Sequence, residues 1–79
     1  MNDKLVELMF YTSGLPASAM VAHACLEEDL GFDKAKMSGL ADKINAEFKV
    51  SIPEQVWSVF ERVGDIDDYL KKVKNGHNN

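Results

Sequence analysis

The sequence predicts an all-α fold, a single domain of three longer helices and one short third helix with a long first loop between the first two. Three observations carry this. Apolar residues recur at helical spacing over most of the chain. Gly14, Gly31 and Gly64, the two prolines and cap-forming residues fall between the periodic segments. No stretch alternates apolar and polar residues as a strand would. At 79 residues the chain makes one domain, whose single core must supply nearly all its stability. A hydrophobic share of 46% is ordinary for a globular protein and argues against disorder.

Leu5, Leu8, Met9 and Thr12 follow the i, i+3, i+4, i+7 spacing, and Val6 and Phe10 broaden the stripe. This predicts a first helix of about three turns, stopped by Ser13-Gly14 with Pro16 beyond. From Leu15 to Gly31 the pattern breaks up. Leu15, Met20, Leu26 and Leu30 recur irregularly, as in a loop pinned to a core, and loops of this length are usually functional or held by such anchors. Asp33 can cap a second helix running to about Phe48 on a stripe of Met37, Leu40, Ala41, Ile44 and Phe48. Ser51-Ile52-Pro53-Glu54 reads as a fresh start, with Ile52 extended before the proline. A short third helix then covers Glu54 to about Glu61, with Val56, Trp57, Val59 and Phe60 as its apolar content. Gly64 marks a break, and Asp65 can start a final helix through Ile66, Tyr69, Leu70 and Val73. Lys71, Lys72 and Lys74 suit its last turn, where the dipole favours cations. The domain therefore spans residues 1–74, and 75–79 (Asn75-Gly76-His77-Asn78-Asn79) form a tail with nothing to bury, expected to be flexible.

Nine Lys plus Arg against thirteen Asp plus Glu leave a net charge of −4. With no long basic stripe, nucleic acid is a poor partner. Acids gather at Glu27-Glu28-Asp29 with Asp33, and again at Asp65, Asp67 and Asp68. Both clusters read first as solvated surface and second as a face that steers basic partners. No apolar stretch approaches a bilayer span, so no membrane span is expected. The start, MNDKLVELMFYTSG, carries an early acid and interleaved polar residues rather than a secretory apolar run. Cys25 is the one cysteine, which rules out an intramolecular disulfide or a multi-cysteine metal cage. A reduced, cytoplasmic protein is the expectation.

His23 and Cys25 lie two residues apart without a third orienting group. Cys25 is therefore expected to be buried as a small apolar residue, with His23 exposed. Adding His77 still gathers too few ligands for a metal site. Met9, Met20 and Met37 read as core filler. No paired-carboxylate pocket, nucleophile triad or phosphate loop can be placed, so no enzyme is expected.

Taken in order, Glu28-Asp29-Leu30-Gly31-Phe32-Asp33, a helix ending in Glu47-Phe48, Ile52-Pro53, Val63-Gly64-Asp65 and Asp68-Tyr69-Leu70 resemble the acyl carrier protein family. The resemblance runs without an apparent gap from the first helix to about Val73. No one mark is specific; their order and spacing are. It implies a four-helix bundle, with a monomer as the default state. In that family a serine directly follows the aspartate that opens the second helix. That serine carries a 4'-phosphopantetheine arm, whose thiol holds the acyl group. Here Asp33 is followed by Lys34, and Ala35 stands where leucine is usual. The family usually has an acid near Gly39 and apolar or acidic residues near Asp42, Asn45 and Ala46. Leu40, Ile44 and Phe48 remain apolar, so the scaffold side of this helix is kept while its working side is rewritten.

A lysine amine cannot replace the serine hydroxyl in the usual phosphodiester, so the resemblance implies no cofactor at Lys34. Lys34 and Lys36 also run against helix physics, since first-turn cations cost roughly 0.3–1 kcal/mol each. Either they serve a contact or the small cost is tolerated. Ser38, one turn further on, is the fallback attachment point. It reads as an ordinary helix-surface residue, because a transferase recognises a serine at the helix opening beside the aspartate. The resemblance sets the third helix beside a cleft that shelters an acyl chain. Leu40, Ile44, Trp57 and Phe60 would line that pocket or fill it, and filling is expected in so small a domain.

The expected function is a non-carrying adaptor that binds a protein partner through Glu28, Asp29, Asp33, Lys34 and Lys36. An enzyme of fatty-acid or polyketide assembly is one candidate partner. The alternative is a genuine acyl carrier of fatty-acid or polyketide synthesis, bearing 4'-phosphopantetheine on Ser38. A carrier whose native serine was replaced by Lys34 would have the same sequence, and its encoding gene would reveal it.

Overall fold

In chain order the elements are α1 (Asp3–Ser13), a single 3₁₀ turn (Ala17–Ala19), α2 (Lys34–Phe48), α3 (Glu54–Trp57) and α4 (Val63–His77). The computed structural model describes the chain from Asn2 to His77. The fold class is the predicted one, all helical and without strands among the described residues. Leu5 and Met9 of α1, Leu40 and Ile44 of α2 and Val63, Ile66 and Leu70 of α4 are buried in one core.

Each helix end has a local cause. Asn2 caps α1, its side-chain oxygen accepting from the N–H groups of Lys4 and Leu5 at 2.8 and 3.2 Å. Gly14 closes α1 in the left-handed conformation, φ 76, a backbone state that glycine adopts without strain. Asp33 caps α2 by accepting from Lys36 N–H at 2.8 Å. α2 ends on Lys49 at φ 54, a left-handed state that costs a side-chain-bearing residue roughly 1–2 kcal/mol. Asn45 Oδ1 accepts from Ile52 N–H at 3.2 Å and so turns the chain from α2 toward α3.

The long first connection is anchored as predicted. Met20, Leu26 and Leu30 are buried, and Leu15 is half-buried against the core. It is also held by backbone pairing that periodicity does not reveal. Leu26 N–H donates to Glu61 O at 2.9 Å and Val63 N–H to Ala24 O at 3.1 Å, around an isolated antiparallel bridge between Cys25 and Arg62. Arg62 Nη1 adds a bond to His23 O at 2.6 Å.

This pairing explains three departures from the sequence reading. α3 is one turn, ending at Trp57 rather than near Glu61, because the following backbone leaves the helix to meet the loop. α4 starts at Val63 and takes in Gly64, which is therefore no break. Gly64 N–H donates to Ala22 O at 2.8 Å, and a Cβ on Gly64 would stand 3.0 Å from that oxygen. Cys25 is half-buried rather than buried, since its neighbour Ala24 takes the core position; His23 is exposed as expected. At the other end, α4 continues through Asn75, Gly76 and His77, past the predicted helix end at Lys74. Asn78 and Asn79 of the predicted tail lie outside the described residues.

Two acids of the second cluster are structural rather than mere surface. Asp67, 5% exposed, accepts from Asn2 N–H at 3.1 Å and pairs with Lys71 Nζ at 3.2 Å, which ties α4 to the start of α1. Asp65 Oδ2 accepts from both Glu61 N–H and Arg62 N–H at 3.0 Å. These two bonds to the ionised carboxylate hold its pKa below the ordinary aspartate value of 3.8. A depressed carboxylate contributes stability that is present above the unfolded value and lost as pH falls through the folded one. Acid titration followed by circular dichroism should therefore show Asp65→Asn with a shallower loss of stability below about pH 4 than the parent chain. An identical acid slope in the two proteins would remove Asp65 from this account.

Candidate functional site

The opening of α2 stands at the edge of a groove open to solvent, formed by α2, α3 and the end of the first connection. Its position follows from the caps. Asp33 fixes where α2 begins, so Lys34 is its first residue and is exposed. Ser38 and Asp42 follow at intervals of four, so all three fall on one stripe of the helix, and all three line the groove. Met37 and Ala41 flank this stripe on the apolar side.

Phe32, Ile52 and Trp57 supply the apolar floor, with Phe60 beside them. Trp57 is 8% exposed, and its ring meets Phe60 edge-on with centroids 5.1 Å apart. Phe60 in turn meets Tyr69 of α4 at 5.8 Å. The indole N–H of Trp57 is buried and has no acceptor among the described residues. Leu40 and Ile44 sit elsewhere, both at 0% exposure in the core and neither lining the groove. The four residues assigned to one pocket by the sequence reading thus divide into two in the core and two at the groove.

Carboxylates dominate the rim: Glu27 and Glu28 from the loop, Asp33 and Asp42 at α2, and Glu54 and Glu61 around α3. Lys34 is the one lysine among the lining residues. Ion pairs among the described residues involve Lys4 with Glu7 and Glu47, and Lys71 with Asp67. None reaches a rim carboxylate, Lys34 or Lys36.

Of the predicted contact residues, Glu28, Asp33 and Lys34 come together at the groove, while Asp29 and Lys36 do not line it. Asp29 instead closes the loop turn, its Oδ2 accepting from Cys25 N–H at 2.7 Å. Asp42, Glu54 and Glu61 are the residues that sequence reasoning missed. The four-residue spacing from Lys34 through Ser38 would have found Asp42. Glu54 and Glu61 depend on where α3 ends, and they carry no such signal. Among the described residues no group of His, Cys, Asp and Glu side chains is placed to hold a metal ion. No helix among them is long and apolar enough to cross a membrane.

No known family profile matches the chain. Among curated proteins it is similar to the acyl carrier proteins of two strains of Porphyromonas gingivalis. Each is 30% identical over 71 residues, which is 90% of this chain and 91% of the relative.

Proposed function

The chain belongs to the acyl carrier protein family, and from that we propose that it is a member without the prosthetic arm, acting as a protein-interaction module or adaptor. One observation carries the reading. Lys34, exposed, is the first residue of α2 directly after the capping Asp33, the place where the family resemblance puts the attachment serine. A phosphodiester needs an oxygen at that place, and Lys34 offers an amine. The residues at the helix opening therefore do not fit 4'-phosphopantetheine. Ser38 shares the groove but stands a full turn inside the helix, away from the capped opening.

In this reading the chain is not an enzyme. It works as a cytoplasmic monomer and meets its partner where Glu28, Asp33 and Lys34 come together, with Asp29 and Lys36 alongside in sequence. An enzyme of acyl-chain or polyketide assembly is the partner class nearest to the family.

The test is intact mass after incubation with coenzyme A and a broad-specificity phosphopantetheinyl transferase, with an ordinary carrier protein as control. With the control fully loaded, the chain is expected to keep its mass. A gain of one phosphopantetheine, mapped to Ser38, would make it a genuine carrier and end the adaptor reading.

A further inference from the structure

We propose that Lys34 is a modification site, its Nζ acylated by neutral thioesters whose aliphatic chain seats on the floor beside it. This rests on the reading of the chain as an interaction module without the arm, and it gives that contact face a covalent switch. Three observations converge on Lys34. It is exposed, and its amine enters no ion pair among the described residues. It is the one lysine lining the groove, whose apolar floor holds Phe32, Met37, Trp57 and Phe60. Its place in the first turn of α2 sets a cation at the positive end of the helix dipole, and an amide there is neutral.

Lys36 supplies the internal comparison. It is exposed, stands in the same first turn and enters no ion pair among the described residues, yet it does not line the groove. Two residues along a helix rotate the side chain by about 200°, so the two amines differ mainly in what lies beside them. The α2 wall from Lys34 to Ala41 is about 10 Å long at 1.5 Å per residue, room for a chain of about eight carbons. A chain held there keeps its carbonyl carbon near the amine and raises the local concentration of the electrophile. The rim carboxylates disfavour an anionic donor, so the donor that fits is neutral.

The step balances without a further reactant. The unprotonated amine attacks the thioester carbonyl, the C–N bond forms as the C–S bond breaks, and the leaving thiolate takes the proton that nitrogen releases. The products are an amide and a free thiol. The amide resists hydroxylamine, which strips an acyl group from Cys25, the thiol that also lines the groove. With Lys34 neutral, no lysine charge remains among the lining residues and the contact face there is wholly acidic.

The probes are the octanoyl and acetyl thioesters of N-acetylcysteamine, with sites mapped by peptide mass spectrometry after hydroxylamine treatment. With the octanoyl donor, Lys34 is expected to be acylated about tenfold faster than Lys36, the gain from covering roughly two methylenes. With the acetyl donor, which has no chain to seat, the two rates should agree within about twofold. Unfolding in urea should abolish the octanoyl preference, because the floor is lost with the fold. A Lys34→Arg chain keeps the cation and should lose that one octanoyl site alone. Equal octanoylation of Lys34 and Lys36, an equally large preference with the acetyl donor, or a preference that survives urea would each overturn the proposal. The readout is an acyl group on a lysine, so none of these results bears on phosphopantetheine loading, which the transferase assay judges separately.

Discussion

A Lys34→Ser chain is expected to gain one phosphopantetheine under conditions in which the parent gains none. The change replaces a long charged amine with a short hydroxyl at one position. Asp33 remains the cap through its bond to Lys36 N–H, so the serine would stand in the first turn with the same backbone geometry. The loop leading to it is held independently of residue 34, by buried Leu26, Leu30 and Phe32 and by the backbone pairing with residues 61–64. Removing the lysine also takes a cation from the positive end of the α2 dipole, a gain of roughly 0.3–1 kcal/mol at an exposed site. The substitution should therefore cost no stability. Mass spectrometry would read a shift from undetected to near-complete loading. Lys34→Ala should stay unloaded, which separates a restored serine from a removed lysine. If Lys34→Ser fails to load while a control carrier does, the lysine is not what bars the arm. The other departures on the working face of α2, Ala35 and Gly39, would then have to carry the explanation.

Most of the scaffold was legible because it is written in local terms. Stripes at 3.6-residue spacing located α1 and α2, and the cap at Asp33 set the start of α2 to the residue. Membership of the family was likewise legible from the order of short marks along the chain. The errors cluster where distant segments meet. The end of α3, the start of α4 and the burial of Cys25 all depend on the pairing of residues 22–26 with 61–64, which no periodicity encodes. Gly64 was misread for the same reason. A glycine inside a helix usually signals weakness, but here it admits the backbone of Ala22. Asp67 looked like surface charge because nothing in the sequence says that the start of α1 approaches α4. The rim of the groove was half legible. Glu27, Glu28 and Asp33 are contiguous enough to notice, whereas Asp42, Glu54 and Glu61 join them only in the folded chain.

Ile44→Ala is expected to destabilise the domain by about 2–5 kcal/mol, the range for deleting a large aliphatic side chain from a closed core. Ile44 is 0% exposed, does not line the groove, and packs in the same cluster as Leu5, Met9 and Ile66. Its loss removes buried apolar surface and leaves a space in that core, which the surrounding side chains fill only in part. A domain of 79 residues has a total stability of roughly 4–12 kcal/mol, so this one change removes a large share of it. Urea unfolding at 25 °C should show the midpoint falling with the slope unchanged. Ile44→Val, which deletes one methylene, should cost about 0.5–1.5 kcal/mol and give a graded pair. A loss under 1 kcal/mol for the alanine variant would mean that the core closes around the space and that α2 is held mainly by its ends. The two faces of α2 can then be separated by experiment. Combined with Lys34→Ser, Ile44→Val should weaken the fold and still load, because the hydroxyl at the helix opening depends on the Asp33 cap and not on that methylene. Loading lost in step with stability would show instead that the working face is positioned by the core beneath it.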